Sequence, residues 1–225
     1  LGGIAVVVIA VLVIGGVIWS NNRNTARNDG YGTVTNSDVE VRLADNGVVI
    51  MGLPGAPNTV DIFEDPQCKY CRDLEHQSGQ ELAQAIDEGV VEVRFHVLNL
   101  LDQADAADGY STRSAAASQC VAQSGDAIVY SAFHAGLFGR DFQPAENGEG
   151  TKSDDAIVQL ARDAGASDEA VACIESGERL EQARADAAVG IQEMANLGGQ
   201  GTPTVLVNGQ MIEPFSNTEW IADLH

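Results

Sequence analysis

The sequence predicts an α/β domain whose sheet is interrupted by a helical block, carried behind an apolar N-terminal segment. Three observations lead there. A β-branched run, Thr59 to Phe63, gives way to a helical pattern from Cys68 and then to a second strand-like run, Val90 to Leu98. An order of strand, helix, strand implies a right-handed crossover and a parallel pair. The stretch from Asp102 to about Gly199 is alanine-rich and helical with few strand formers, and the sheet resumes at Gly201 to Ile212 as a run, an Asn208-Gly209 turn and a return.

Leu1 to Trp19 contains only apolar residues and glycine, enough to cross a bilayer as a helix with Trp19 at the interface. Val17-Ile18-Trp19-Ser20 lacks the small-x-small pattern of a signal-peptide cleavage site, which favours a retained anchor over 1–19. A chain opening on leucine implies a missing leader. Arg23 and Arg27 would by themselves place the following segment inside the cell. Cysteine usage argues for the outside, because four cysteines, all beyond the anchor, form a plausible exchanging pair and a plausible structural pair.

Ser20 to Ser37, rich in Asn, Arg and Gly, reads as a flexible tether, and the folded domain is expected over 38–225. Val39 to Leu43 alternates as a half-buried strand, Asn46-Gly47 is a hairpin signal, and Val48 to Met51 returns. Pro54 to Pro57 turns the chain into the run ending at Phe63, a central strand covered on both faces. From Cys68 the apolar positions Cys71, Leu74, Leu82 and Ile86 share a stripe that stops at Gly89, with Gly79 as a potential bend. Helices follow near Ser111–Gln123, Asp126–Phe138 and Ser153–Ala164, then one capped by Ser167 that holds Cys173, and one over Arg179–Leu197. Gly139 to Thr151 reads as a mobile polar loop. A last helix is expected from Ser216 or Asn217, burying Trp220 and Leu224.

The formal charge of −21 is the most unusual bulk property; the lysines are Lys69 and Lys152 alone, and the acids are spread over the whole chain. This argues against nucleic acid and anionic membrane surfaces as partners, and for a surface stabilised by salt.

The chemistry sits in Cys68-Lys69-Tyr70-Cys71. Two cysteines two residues apart at a helix start can close a small disulfide, and the first sulfur lies where free N–H groups and the helix dipole favour a thiolate. A low-pKa thiolate leaves readily in thiol–disulfide exchange. Half a zinc site is the competing reading, but it needs a second close pair of Cys or His, and Cys120, Cys173, His76, His96, His134 and His225 provide none. No metal and no cofactor beyond the redox-active disulfide are expected. Cys120 and Cys173 fall on different helices; a bridge between them would contribute about 4 kcal/mol, the alternative being two buried free thiols. Asp61 and Glu64 flank the motif from the strand, and either could shuttle the proton of Cys71, with Asp61 slightly favoured. His134, among Phe133 and Phe138, reads as a packed core residue without chemistry.

Three anchors in order, Phe63-Glu64-Asp65-Pro66-Gln67-Cys68 with Tyr70-Cys71, Asp141-Phe142-Gln143-Pro144, and Gly201-Thr202-Pro203-Thr204 with Val207-Asn208-Gly209, resemble the DsbA-like thiol–disulfide oxidoreductases, especially the membrane-anchored actinobacterial type. The resemblance spans Val39 to the end. It implies a thioredoxin fold with an inserted helical subdomain over about 102–199, and a cis bond before Pro203 that sets Thr202 beside Cys68 to pair with a substrate main chain. Lys69, where many members carry proline, departs from the pattern; with Tyr70 it would modulate the pair.

The sequence therefore points to a membrane-anchored, extracytoplasmic oxidoreductase in which Cys68 is the exposed attacking sulfur and Cys71 resolves. Reduced secreted or envelope proteins would be substrates, and by resemblance a quinone-linked membrane protein would reoxidise it. A reductase or isomerase on the same site, and a non-catalytic peptide-binding module, are the alternatives.

Overall fold

The computed structural model describes residues 30–102 and 108–225. The anchor read over Leu1–Trp19, the arginines behind it and the first part of the tether lie outside them. Among the described residues no helix is long and apolar enough to cross a membrane.

In chain order the elements are β1 (Glu40–Leu43), β2 (Val49–Gly52), β3 (Asn58–Glu64), α1 (Lys69–Asp87), β4 (Val91–Val97), α2 (Tyr110–Ala122), α3 (Ala127–Leu137), α4 (Asp154–Asp163), α5 (Asp168–Ser176), α6 (Leu180–Asn196), β5 (Thr204–Val207) and β6 (Gln210–Ile212). The sheet runs β1-β2-β4-β3-β5-β6. Among the described residues only β3 and β4, the pair joined by α1, are parallel; their register sets Ile62 beside Phe95 and Phe63 beside His96. The helical block α2 to α6 sits between β4 and β5, so a thioredoxin fold with an inserted helical subdomain is what the chain forms.

Alternation along β3 decides which side chain meets which layer. Val60 and Ile62 join the main core with Cys68, Cys71, Leu74, Ile86, Phe95, Tyr130 and Phe133. Phe63 points the other way, into a small cluster with Leu98, Met194 and Leu206 under α6. Ser153, Ser167 and Asp126 each accept the N–H three residues on and so cap α4, α5 and α3.

Four expectations change. The tether does not run to Ser37: Gly30 and Gly32 donate to Gln80, Tyr31 and Thr35 bond to Asp87, and Val34 is fully buried. One valine among single polar anchors leaves no periodicity to read. Gly79 does not bend α1, which is uninterrupted; a Cβ there would meet the Glu75 carboxyl. The loop from Gly139 is tied down, as described below. The C-terminal helix is replaced by turns and a 3-10 turn at Ala222–Leu224. Trp220 and Ile221 are buried, but Asn217 takes the Glu219 N–H on its own side chain, competing with helical bonding.

Candidate active site

β3 ends at Glu64, and four residues carry the chain to Lys69, the first residue of α1, with Cys68 as N-cap. The pair thus sits at the carboxyl end of a central strand, where open α/β sheets place their sites. Both Cys68 and Cys71 are free thiols. Cys68 is not the exposed sulfur expected: 4% of its surface is accessible, because the 201–204 segment and the loop after α3 close over it.

The Thr202–Pro203 peptide is cis, and the Cys68 thiol donates to the Thr202 carbonyl at 3.3 Å. Cys68 is held down to about 6, chiefly because the Cys71 thiol hydrogen-bonds its thiolate; burial opposes, and the Thr202 side chain and the N–H groups of Cys71 and Tyr70 add to the lowering. Cys71 goes well above an ordinary thiol, through burial first, then the bond and charge of Cys68 and the charge of Glu64. The Asp65 N–H reaches the Cys71 sulfur at 3.5 Å. The two sulfurs are therefore unequal: one a ready anion, the other a proton holder.

Glu64 and Asp61 separate. Glu64 shares the face of Val60 and Ile62 with Cys71, is buried, and meets His134 Nε2 at 2.7 Å. Glu75 from α1 approaches the other ring nitrogen at 3.7 Å. Burial alone would lower His134, but the charge and hydrogen bond of Glu64 and the charge of Glu75 push it up to about 9. Burial raises Glu75, against the pull of His134. Asp61 lies on the opposite face, bonded to His96 at 3.1 Å with Glu193 beyond at 3.9 Å. Strand alternation turns Asp61, slightly favoured from sequence as proton carrier, away from the thiols and leaves Glu64 on their side.

Asp65 and Gln143, to which the sequence assigned no role, complete the site. Asp65 is fully buried and accepts from Gln67 N, Leu101 N and Ser111 Oγ; burial still pushes it up to about 7. Gln143 Nε2 donates to the carbonyls of Pro66 and Cys68 at 2.9 and 3.0 Å. Tyr70 is half-exposed, with the Lys69 ammonium 4.7 Å from its ring centre. Cys120 and Cys173 are bridged, joining α2 to α5. Among the described residues no cluster of His, Cys, Asp and Glu could hold a metal ion.

The family described as thioredoxin matches residues 44–223. The chain belongs to the thioredoxin family. Among solved thioredoxin-fold structures, a thiol–disulfide oxidoreductase of Corynebacterium diphtheriae, MdbA, superposes with a TM-score of 0.74 at 25% identity, over 85% of this chain and 96% of that one. The reduced DsbA of Mycobacterium tuberculosis gives 0.63 at 29% identity, over 83% and 92%. The chain is thus similar to DsbA-type thiol–disulfide oxidoreductases and carries a pair of free cysteines, Cys68 and Cys71. It is also 37% identical over 186 residues to the serine/threonine-protein kinase PknE of Mycobacterium tuberculosis, covering 83% of this chain and 32% of the kinase. The chain spans about a third of the length of the curated relatives it matches.

Proposed function

We propose that the chain introduces disulfides into secreted or cell-envelope proteins from an extracytoplasmic position, held to the membrane through its N-terminal segment. The observation that carries the direction is the inequality of the sulfurs: a thiolate at Cys68 stabilises the reduced form, and a stabilised reduced form makes a strong oxidant. The Cys120–Cys173 bridge supports an oxidising compartment.

In the oxidised enzyme a substrate thiolate attacks Cys68 Sγ and the Cys68–Cys71 bond breaks. Cys71 is a poor leaving group as an anion, so it takes a proton, supplied from the His134–Glu64 pair behind it. The substrate's second thiolate then attacks the substrate sulfur of the mixed disulfide, and Cys68 departs as a thiolate. Two electrons have moved from substrate to enzyme, and a quinone-linked membrane protein would remove them. Thr202 and Pro203 would hold the substrate main chain as an extended strand.

A reduced, unfolded model protein should acquire disulfides in the presence of the oxidised chain and not of Cys68→Ser. A Cys68/Cys71 potential near the about −270 mV of thioredoxin would reverse the direction and favour a reductase or isomerase. A second reading rests on the likeness to PknE: the chain as the peptide-binding or thiol-sensing part of a longer signalling protein. Catalytic turnover lost in Cys68→Ser separates the enzyme from that module.

A further inference from the structure

The loop from Gly139 to Thr151, joining α3 to α4, folds back over the first turn of α1. Gln143 holds the carbonyls of Pro66 and Cys68, and Gln67 Nε2 donates to the Ala145 carbonyl at 2.7 Å. The third contact differs in kind. The Glu146 carboxylate accepts the backbone N–H of Lys69 at 3.1 Å, bringing a charge to the helix end. Lys69 is the first residue of α1 and Cys68 its N-cap, and α1 has no acidic residue in its own first turn. The carboxylate and the Cys68 sulfur thus occupy neighbouring positions at one helix N-terminus. Of the basic groups nearby, Lys69 lies over the Tyr70 ring, Lys152 bonds the Asp141 carbonyl and lies over Phe142, and Arg72 approaches Asp73 at 3.7 Å.

Free N–H groups and the dipole at a helix start favour any anion placed there, and two anions at one start repel each other. We propose that Glu146 tunes the redox pair: its carboxylate competes with the Cys68 thiolate for the N-terminus of α1, so that loop closure opposes reduction and reduction loosens the loop. The inference rests on the oxidoreductase reading above. Reduction adds two electrons from a substrate dithiol to the Cys68–Cys71 disulfide; at neutral pH one proton goes to Cys71 and Cys68 keeps the charge. Oxidation removes that charge and leaves the helix end to Glu146. Coupling between two such equilibria is reciprocal, so the loop feels the redox state by as much as the pair feels the loop.

Glu146→Gln keeps an acceptor for the Lys69 N–H and removes only the charge. In the reduced chain, thiolate absorbance followed against pH should place the Cys68 midpoint about half a unit below wild type. The equilibrium with glutathione should shift about threefold toward reduced enzyme. Amide exchange at Ala145 to Glu149 should be faster in the reduced than in the oxidised wild-type chain, and that difference should vanish in Glu146→Gln. An unchanged midpoint overturns the proposal, since a purely structural clasp survives the glutamine. Absorbance needs no turnover, so Glu146 is tested even if the pair fails to exchange with glutathione, a result that would instead overturn the oxidoreductase reading.

Discussion

Cys68 and Cys71 are three residues apart, yet their proton affinities diverge because the Cys71 thiol hydrogen-bonds the Cys68 thiolate at the helix start, while burial one turn inward, with the Cys68 charge and Glu64, raises Cys71. Alkylation of the reduced chain should therefore follow a titration centred at about 6, and a midpoint near an ordinary thiol would remove the basis for the oxidant reading. Behind Cys71, Glu64→Gln should shift the pH dependence of disulfide transfer, while Asp61→Asn on the other face should leave it in place; the reverse pattern would return the role to Asp61. His134 gives a separate stability test. Its folded value of about 9 lies above the ordinary 6.5, so its ionic contribution is complete below about 6.5 and is lost as pH rises through 9. His134→Gln leaves Glu64 buried without its cation and should cost about 3 kcal/mol at pH 7. Denaturant midpoints of the two proteins should draw together by pH 10, and a constant gap would mean the pair is neutral. None of this was legible from Glu64 and His134 as letters. Seventy positions separate them, and a histidine between phenylalanines has the local pattern of a core residue.

Elements that carry their own signal could be read directly. The two β-hairpins have Asn-Gly turns, α3, α4 and α5 begin at Asp126, Ser153 and Ser167, and the parallel pair follows from strand, helix, strand. Elements held by single distant side chains could not. The 30–37 segment hangs on Gln80, Asp87 and Ser131, and the 139–151 loop is tied to the start of α1 by Gln67 and by its own Gln143 and Glu146, all long-range bonds without local periodicity. The Cys120–Cys173 bridge lies between these cases, since helix placement favoured it but could not exclude free thiols. It closes a separation of 53 residues, and Cys120→Ala/Cys173→Ala should cost about 4 kcal/mol by the chain-entropy estimate. Because it joins α2 to α5 away from the redox pair, the variant should retain the wild-type Cys68/Cys71 potential; a shifted potential would mean that the helical block transmits strain to the site.

At the scale of the whole molecule the charge of −21 decides how salt acts. Salt weakens two opposing sets of interactions. The attractive set consists of exposed pairs such as Arg42–Glu92, Arg162–Glu175 and Arg184–Asp108, each worth at most about 1 kcal/mol. The repulsive set is larger, because 33 acids face 12 basic side chains and the excess remains however the cations are paired. Screening at a Debye length of about 3 Å in molar salt therefore removes more repulsion than attraction, while the buried Glu64–His134 pair is little affected. The thermal midpoint should rise steadily from dilute buffer to molar sodium chloride. An equally concentrated neutral osmolyte separates the causes, because it strengthens burial without screening charge. A rise in salt well above that in osmolyte identifies self-repulsion as the burden on the fold. A flat midpoint in salt would instead mean that the acids are spread widely enough over the surface to leave the folded chain unstrained.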